Sequence, residues 1–331
     1  MFPMLYPLRF QPIFKERLWG GRELARLYGK SLPPGKPIGE SWELSDRPGD
    51  VSVAANGPLA GKDLRWLMQN HAEALLGRAA LHGGRFPLLV KILDARQILS
   101  VQVHPPASMA VRLGGEPKTE LWYITQAGPG AHLSAGLKAG VSRTAFEQSV
   151  RDGTVDGCIH QVPVKPGDAM FLPSGRVHAL GADMVIFEIQ QNSDTTYRVF
   201  DWNRVGDNGK PRELHLAQAL ACIDFADAEP GLVASPWQTE GGLRRRRLVE
   251  HALFTVDEVH TAHPGRQTRS GGRASILGVV SGGVRLDHPA SGQRLDLVPG
   301  DFALLPADLG DVAMTFPGET VFLDATPGAG G

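Results

Sequence analysis

The chain has 331 residues, which is longer than one ordinary domain and favours two. Hydrophobic residues make up 42% and charged residues 21%, so the chain can build packed cores and is not intrinsically disordered. With 34 Lys and Arg against 35 Asp and Glu, the net charge of -1 supplies no field for nucleic acid or an anionic membrane, and neither is an expected partner.

Local features support the same exclusions. The basic run Arg244–Arg247 has no interleaved aromatic residues and is more typical of a solvated face or loop than of a nucleic-acid contact. Cys158 and Cys222 form no CxxC pair, which favours a reducing compartment and excludes a thiolate zinc site. Residues 1–14 do not resemble a signal peptide, and no stretch reaches the roughly 20 apolar residues of a membrane helix. The expected location is the cytoplasm.

Short apolar runs separated by Gly and Pro predict a mainly β protein. In chain order, the predicted elements are a helix from a cap at Asp63 to about Gly77, strands Leu88–Leu93, Leu99–His104 and Leu121–Ile124, a helix from Ser142 to about Arg151, strands Ile159–Val164, Ala169–Leu172, Val185–Gln190 and Tyr197–Phe200, and a helix from Pro211 to about Ile223. Many short strands are typical of sandwiches and barrels, with the helices packed outside.

One segment recurs later in the chain. Lys165–Pro173 and Val298–Pro306 both contain Pro-Gly-Asp, an apolar strand and a final Pro. This pattern resembles the turn that leads cupin barrels into a strand with a ligand histidine. We therefore expect two cupin (jelly-roll) barrels with a few peripheral α-helices: a catalytic metal-binding domain over residues 1–225 and a degenerate one over residues 226–331. The second barrel is expected to cover an exposed sheet of the first.

A polar face on one predicted strand indicates a binding site. In the strand 99–104, Ser100, Gln102 and His104 alternate with apolar residues and therefore share a face. Polar side chains turned into a cavity are costly unless they bind something, and a metal ion would satisfy them. Alone, however, a Gln-x-His pair is more typical of a structural histidine.

Two further donors favour the metal. Glu120 leads into the strand 121–124, and His178 follows the first copy of the repeat, whereas the second copy has Asp311 at that position. Two imidazoles, a carboxylate and an amide oxygen suit Zn²⁺ or another divalent ion and leave positions open for substrate oxygens. The expected ligands, in the first barrel only, are Gln102, His104, Glu120 and His178.

Several segments together resemble one enzyme family. They are Ser100–Pro105, Lys118–Glu120, Pro173–Gly181, Gln190–Arg198, Leu18–Gly21, Gly39–Glu43 and Phe86–Lys91. They are similar to the type I mannose-6-phosphate isomerases over roughly residues 10–225, and the short interval from Glu120 to His178 resembles the bacterial form without a helical insert. The resemblance implies one zinc ion per chain, held by the four ligands above. It also implies interconversion of mannose 6-phosphate and fructose 6-phosphate through an enediolate.

The resemblance further implies roles for polar residues around the metal. Arg198 falls on the family's active-site arginine and is expected to stabilise the enediolate oxyanion rather than to hold the phosphate. Glu188 is the expected proton-transfer base, with Asp194 and Lys118 as alternatives. The residues expected to bind the phosphate are Lys91, Ser100 and Lys118.

Two other functions stay open at this stage. A cupin oxygenase could bind Fe(II) with the same two histidines and carboxylate, but it would leave Lys91, Ser100 and Arg198 unexplained. A non-catalytic sugar-binding cupin would be expected to have lost a ligand or the arginine, and none is missing. The isomerase is therefore the leading hypothesis, and the sequence carries no signal for an oligomeric state.

Overall fold

The computed structural model describes residues 4–79, 81, 83–206 and 209–329, so the outer ends of both predicted domains lie outside the described residues. The strands of the first part are β1 Ile13–Gly21, β2 Ile38–Leu44, β3 Asp46–Arg47, β4 Asp50–Val51, β5 Leu88–Ala95, β6 Val101–Val103, β7 Glu120–Ala127, β8 His132–Leu137, β9 Ile159–Pro163, β10 Ala169–Leu172, β11 His178–Leu180, β12 Met184–Gln191 and β13 Tyr197–Phe200.

The remaining strands follow after residues 223–237, which form no helix and no extended strand. They are β14 Gln238–Glu240, β15 Leu243–His251, β16 Phe254–Thr261, β17 Gly265–Arg269, β18 Ser275–Ser281, β19 Val284–His288, β20 Gln293–Leu297, β21 Phe302–Leu305, β22 Val312–Phe316 and β23 Thr320–Pro327. The helices are α1 Glu23–Tyr28, α2 Leu64–Leu76, α3 Ala107–Ala110, α4 Arg143–Asp152 and α5 Leu216–Cys222. None of these helices is long and apolar enough to cross a membrane.

The strands form two pairs of antiparallel sheets. The first pair has the strand orders β1-β2-β5-β12-β7-β10 and β13-β6-β11-β8-β9, and we call it the first barrel. The second pair, β14-β15-β16-β23-β18-β21 and β17-β22-β19-β20, repeats this order and is called the second barrel. The prediction of a mainly β protein with two barrels and few helices is confirmed. The boundary between residues 225 and 226 falls between β13 and β14 and stays a prediction.

A continuous apolar core joins the two barrels. It combines residues of β5 and β12, such as Ile92 and Phe187, with residues of β16 and β23, such as Val256 and Leu323, and all four are fully buried. The two six-stranded sheets therefore pack against each other, and the second barrel covers the first as expected. Full burial of each large apolar side chain contributes roughly 1.5–3 kcal/mol. Each barrel also has its own apolar interior.

Two helix starts are set by capping side chains, as predicted. Asp63 Oδ1 accepts a hydrogen bond from Trp66 N at 2.6 Å, and Ser142 Oγ accepts one from Ala145 N at 3.2 Å. Each bond satisfies an amide of a first helical turn that has no partner within the helix. Phe146 of α4 belongs to one apolar cluster with Val101 and Val103, so α4 covers the apolar face of β6.

The predicted start of the third helix is wrong. Pro211 forms a β-bridge with Val205 instead of opening the helix, and His215 N donates to Arg198 O at 2.8 Å. Residues 212–215 form no regular secondary structure. The helix α5 therefore begins only at Leu216.

Candidate metal centre and substrate cavity

Strand pairing inside the first barrel brings the predicted ligands together. His104 follows β6, Glu120 begins β7, and His178 begins β11 directly opposite Gln102. The ligand atoms of the two histidines and Glu120 all lie within 4.8 Å of one another. Nε2 of His104 is 3.6 Å from Glu120 Oε2, and Nε2 of His178 is 3.3 Å from Glu120 Oε1. All three residues are buried.

Both imidazoles are held in the form that binds a metal. Nδ1 of His104 is 2.8 Å from the carbonyl oxygen of Thr195, and Nδ1 of His178 is 2.9 Å from that of Arg176. A carbonyl only accepts, so each Nδ1 carries the proton and each Nε2 carries a free lone pair. Burial, reinforced by Lys118, lowers the pKa of His104 to about 4, and burial lowers the pKa of His178, so both rings are neutral at neutral pH.

The carboxylate supplies the negative charge of the cluster. Burial acts to raise the pKa of Glu120, but Lys118, 3.0 Å away, and the two imidazoles outweigh it and hold the pKa well below its usual range. Nε2 of His104 is buried and has no hydrogen-bond partner among the described residues. An ionised carboxylate beside an unsatisfied imidazole lone pair fits a divalent cation.

Gln102 fits the fourth ligand position. Its amide nitrogen is 3.4 Å from Nε2 of His178. Because a half-turn of the amide exchanges its nitrogen and oxygen, the carbonyl oxygen can occupy the same place beside a cation. The structure thus places Gln102 beside the cluster of His104, Glu120 and His178, and its role as the fourth ligand stays a prediction.

The cluster adjoins a polar cavity of about 470 Å³. The cavity is lined by Arg17, Trp19, Glu40, Lys91, Ser100, Gln102, Lys118, Glu188, Asp194, Thr196, Arg198 and Arg212, among others. Gln102 and Lys118 connect it to the cluster. All nine predicted site residues therefore lie in or beside one space. A larger cavity of about 800 Å³ is lined by none of them, so size alone does not identify the site.

The predicted base has two fixed partners. Glu188 Oε1 lies 3.1 Å from Lys91 Nζ, and Glu188 Oε2 accepts a hydrogen bond from Trp122 Nε1 at 2.8 Å. Lys91 and Glu188 are both about 4% exposed in their side chains. The two contacts fix the orientation of the carboxylate. By contrast, Asp194 is exposed on the wall of the same cavity.

Lys118 is held in its protonated form. Burial acts to lower its pKa, but the carboxylates of Glu120 and Glu188 outweigh burial and raise the pKa above its usual value. A protonated ammonium donates hydrogen bonds and cannot accept a proton. This geometry disfavours Lys118 as the base and favours it as a donor.

Arg198 presents part of its guanidinium to the cavity. It lies on β13 opposite Gln102, and its Nη1 donates to the carbonyl oxygen of Glu213 at 2.8 Å. Its Nε is buried and has no hydrogen-bond partner among the described residues. Burial and the neighbouring Arg212 lower the pKa of Arg198 from its usual value. A donor that is already desolvated is ready to bind an anionic oxygen.

Sequence reasoning gave no role to four charged residues of the cavity, which are Glu16, Arg17, Glu40 and Arg212. Arg17 Nε is 2.7 Å from Glu40 Oε1, and Trp42 Nε1 donates to Glu40 Oε2 at 2.6 Å. Burial opposes ionisation of Glu40, but Lys91 and Arg17 outweigh it and lower its pKa to about 2. Glu40 lies inside one of the segments that carry the family resemblance, and Arg17 directly precedes another. Arg212, which contacts Asp201 at 2.7 Å, lies in a loop without a periodic pattern.

The fold and the cluster together define a class: cupin proteins with a site for a divalent metal. Residues 7–121 match the family model described as phosphomannose isomerase type I, catalytic domain. Over 98% of its length, the chain is 37% identical to a probable mannose-6-phosphate isomerase of Bacillus subtilis, GmuF, covering 100% of that protein. It is 38% identical to the mannose-6-phosphate isomerase ManA of Bacillus subtilis, over 92% of this chain and 94% of ManA.

A solved structure agrees with the sequence comparisons. The crystal structure of the mannose 6-phosphate isomerase from Bacillus subtilis superimposes with a TM-score of 0.87 and 32% identity. The match covers 97% of this chain and 99% of that one. The chain belongs to the type I mannose-6-phosphate isomerase family.

Proposed function

We propose that this protein interconverts mannose 6-phosphate and fructose 6-phosphate through an enediolate. The observation that carries the proposal is the buried His104–Glu120–His178 cluster beside a cavity with several cations. The names of its relatives support the substrate, since they are mannose-6-phosphate isomerases that match nearly the whole chain. The two free cysteines, Cys158 and Cys222, are consistent with the cytoplasmic location, which is part of the proposal.

We assign the metal to Gln102, His104, Glu120 and His178, and propose Zn²⁺ as the ion because two imidazoles and a carboxylate suit it. When bound, the ion supplies Lewis-acid stabilisation of negative charge on the sugar oxygens at C1 and C2. The carbonyl oxygens of Thr195 and Arg176 orient the two imidazoles and fix the protons on Nδ1.

We assign the proton transfer between C1 and C2 to Glu188. Its ion pair with Lys91 and its hydrogen bond from Trp122 support this role, because together they fix the orientation of the carboxylate on the cavity wall. Asp194 is the second candidate, because its exposed carboxylate lines the same cavity. The two are distinguished by exchange of solvent deuterium into the substrate, which should stop in Glu188→Gln and continue in Asp194→Asn.

Arg198 is proposed to stabilise the oxyanion of the enediolate. Its buried and unpartnered Nε supports this, since such a donor interacts strongly with charge that develops in the transition state. The phosphate is proposed to be bound by Ser100, Lys91 and Lys118, which line the cavity. Lys91 would then have two functions, because its ammonium also pairs with Glu188.

The deciding experiment is a coupled assay for fructose 6-phosphate formed from mannose 6-phosphate, on metal-stripped protein with and without Zn²⁺. We expect zinc-dependent turnover that is lost in His104→Ala and in Arg198→Ala. The arginine variant should still bind one equivalent of metal. If protein that holds one equivalent of metal has no turnover with any divalent ion, the proposal is wrong.

A further inference from the structure

The second barrel also contains a cavity, with a volume of about 410 Å³. It lies among β15, β17, β22 and β23, and its charged residues are Arg245, Arg269, Arg273 and Asp324. Arg245 belongs to the basic run that was expected to be a solvated face or loop. It lies in β15 instead, with an ion pair of 2.9 Å to Asp257. A cavity of this size is in the range that binds small molecules.

Strand register relates this cavity to the one in the first barrel. In the sequence repeat, Met170 corresponds to Ala303. Met170 pairs with Trp122, which pairs with Glu188. Ala303 pairs with Leu277, which pairs with Asp324. Asp324 therefore occupies the place of Glu188, the proposed base of the first barrel.

The same register relates two further positions. In the first barrel, Glu188 pairs with Lys91, and Leu93, two residues further along β5, pairs with Glu40. In the second barrel, Asp324 pairs with Asp257, and Val259, two residues further along β16, pairs with Arg245. Arg245 therefore occupies the place of Glu40. In the repeat, Leu172 pairs with Glu120, whereas Leu305 pairs with Ser275, so Ser275 replaces the carboxylate ligand. The second cavity therefore lies at the same place in its barrel as the first cavity, but different charged residues line it.

The charges of the second cavity are only partly satisfied. Arg269 Nη1 donates to Asp324 Oδ2 at 2.8 Å. Asp324 Oδ1 is buried and has no hydrogen-bond partner among the described residues, and the side chain is only 3% exposed. Arg273 is exposed and has no ion pair within the described part of the chain. An unsatisfied buried carboxylate oxygen costs about 1–3 kcal/mol unless something donates to it.

We propose that this cavity is a second, metal-independent site for a small phosphorylated polyol. Among the residues that line the cavity, the three guanidiniums outnumber Asp324 and favour an anion. Arg273 is exposed, and Arg245, although paired with Asp257, keeps 38% of its side chain exposed, so both can bind a phosphate. The unsatisfied Oδ1 of Asp324 accepts a hydrogen bond from a hydroxyl of the polyol. Met314 and Phe322 line the same cavity and contact its C–H groups. With Ser275 in place of the carboxylate ligand, a divalent cation is disfavoured.

The proposal concerns binding alone and is independent of the isomerase reaction. The probe is glucitol 6-phosphate, which has no carbonyl and cannot be isomerised. Hydrogen–deuterium exchange of the Zn²⁺-loaded protein should show that the ligand protects residues 265–273, which belong to the second barrel only. Protection of the first barrel reports separately on the proposed active site.

The decisive variant is Arg273→Gln, because this exposed side chain can be changed without affecting folding. We expect the ligand concentration for half-maximal protection of residues 265–273 to rise at least tenfold, with unchanged turnover. The matched control is Arg266→Gln, which alters an exposed arginine of the neighbouring strand β17 that does not line the cavity. No protection in the wild type, or equal effects of the two substitutions, would overturn the proposal.

A second comparison tests the polyol. Glucitol 6-phosphate should bind more tightly than inorganic phosphate, and Asp324→Asn should reduce this preference, because Oδ1 would lose its charge. If inorganic phosphate binds as tightly as glucitol 6-phosphate in the wild type, the assignment to a polyol is wrong. This comparison uses the unmodified protein and so does not depend on the folding of the Asp324 variant.

Discussion

Replacement of Lys118 by methionine tests both the buried ion pair and the assignment of the metal. Lys118 Nζ is 3.0 Å from Glu120 Oε2, with side-chain exposures of 5% and 0%. In metal-free protein, the substitution leaves Glu120 buried without its nearest cation. Removal of one partner from a buried pair typically costs about 3–5 kcal/mol, because the remaining charge is uncompensated. We expect the free energy of unfolding of the metal-free protein to fall by about that amount.

Bound metal should change this result in a defined direction. In Lys118→Met, a divalent ion on Glu120 replaces the ammonium of Lys118. The ion is also no longer repelled by the like charge of that ammonium. The free energy of unfolding of the variant should therefore rise more on addition of Zn²⁺ than that of the wild type. The measurement is urea unfolding of both proteins, each with and without Zn²⁺. The four values form a thermodynamic cycle, and the coupling between Lys118 and the metal is read directly from it.

The matched control is Lys165→Met. Lys165 Nζ is 2.7 Å from Asp168 Oδ1, but the lysine side chain is 78% exposed, so the loss should be about 0–1 kcal/mol with or without metal. If the metal-free Lys118 variant loses no more than this control, the buried pair does not stabilise the fold. If Zn²⁺ stabilises the Lys118 variant and the wild type equally, Glu120 is not a ligand.

Three further predictions concern stability. Burial raises the pKa of Asp94 to about 6 from an ordinary value of 3.8. The contribution of Asp94 to the free energy of unfolding is therefore full below about pH 4 and is lost as the pH rises through 6. In Asp94→Asn, the urea midpoint should not show this fall with rising pH. Asp63→Ala removes the cap of α2 and should cost about 0.5–2 kcal/mol in urea unfolding, whereas Asp63→Asn should retain most of it. Tyr123→Phe removes a 2.8 Å hydrogen bond to the carboxylate of Glu258 and should cost about 1.5–3 kcal/mol; Tyr28→Phe, which loses a neutral bond to Thr125, should cost less.

The elements that could be predicted from the sequence are those whose pattern agrees with their environment. The strands β10 and β12 are apolar between turn residues, and α2 and α4 begin at capping side chains. By contrast, β2 was not predicted, because this fully buried strand contains Glu40 and Glu43. Their charges are compensated by Arg17 and Lys30 from distant parts of the chain, which no local pattern reveals.

The residues of the predicted metal site could be located in the sequence because short-range rules place them. Alternation on one strand puts Gln102 and His104 on the same face, and the repeat locates His178. The ion pair of Lys91 with Glu188 was not predictable, since it depends on the register of β5 against β12. Phosphate binding by Lys91 and proton transfer by Glu188 both remain predictions. The two residues form an ion pair, so a change in one side chain should affect the other.

The second barrel contributes to the proposed active site through β12, the strand that carries Glu188. All eight residues of this strand are buried. Ile186 packs in the interior of the first barrel, whereas Phe187 and Ile189 belong to the core shared with the second barrel. Phe187, for example, contacts Phe302 of β21 with ring centroids 4.9 Å apart. Because adjacent residues of a strand share one backbone, packing on one face fixes the direction of Glu188 on the other. The degenerate barrel therefore acts on the site by holding the strand of the proposed base, even though its described residues include no His, Cys, Asp and Glu cluster that could hold a metal.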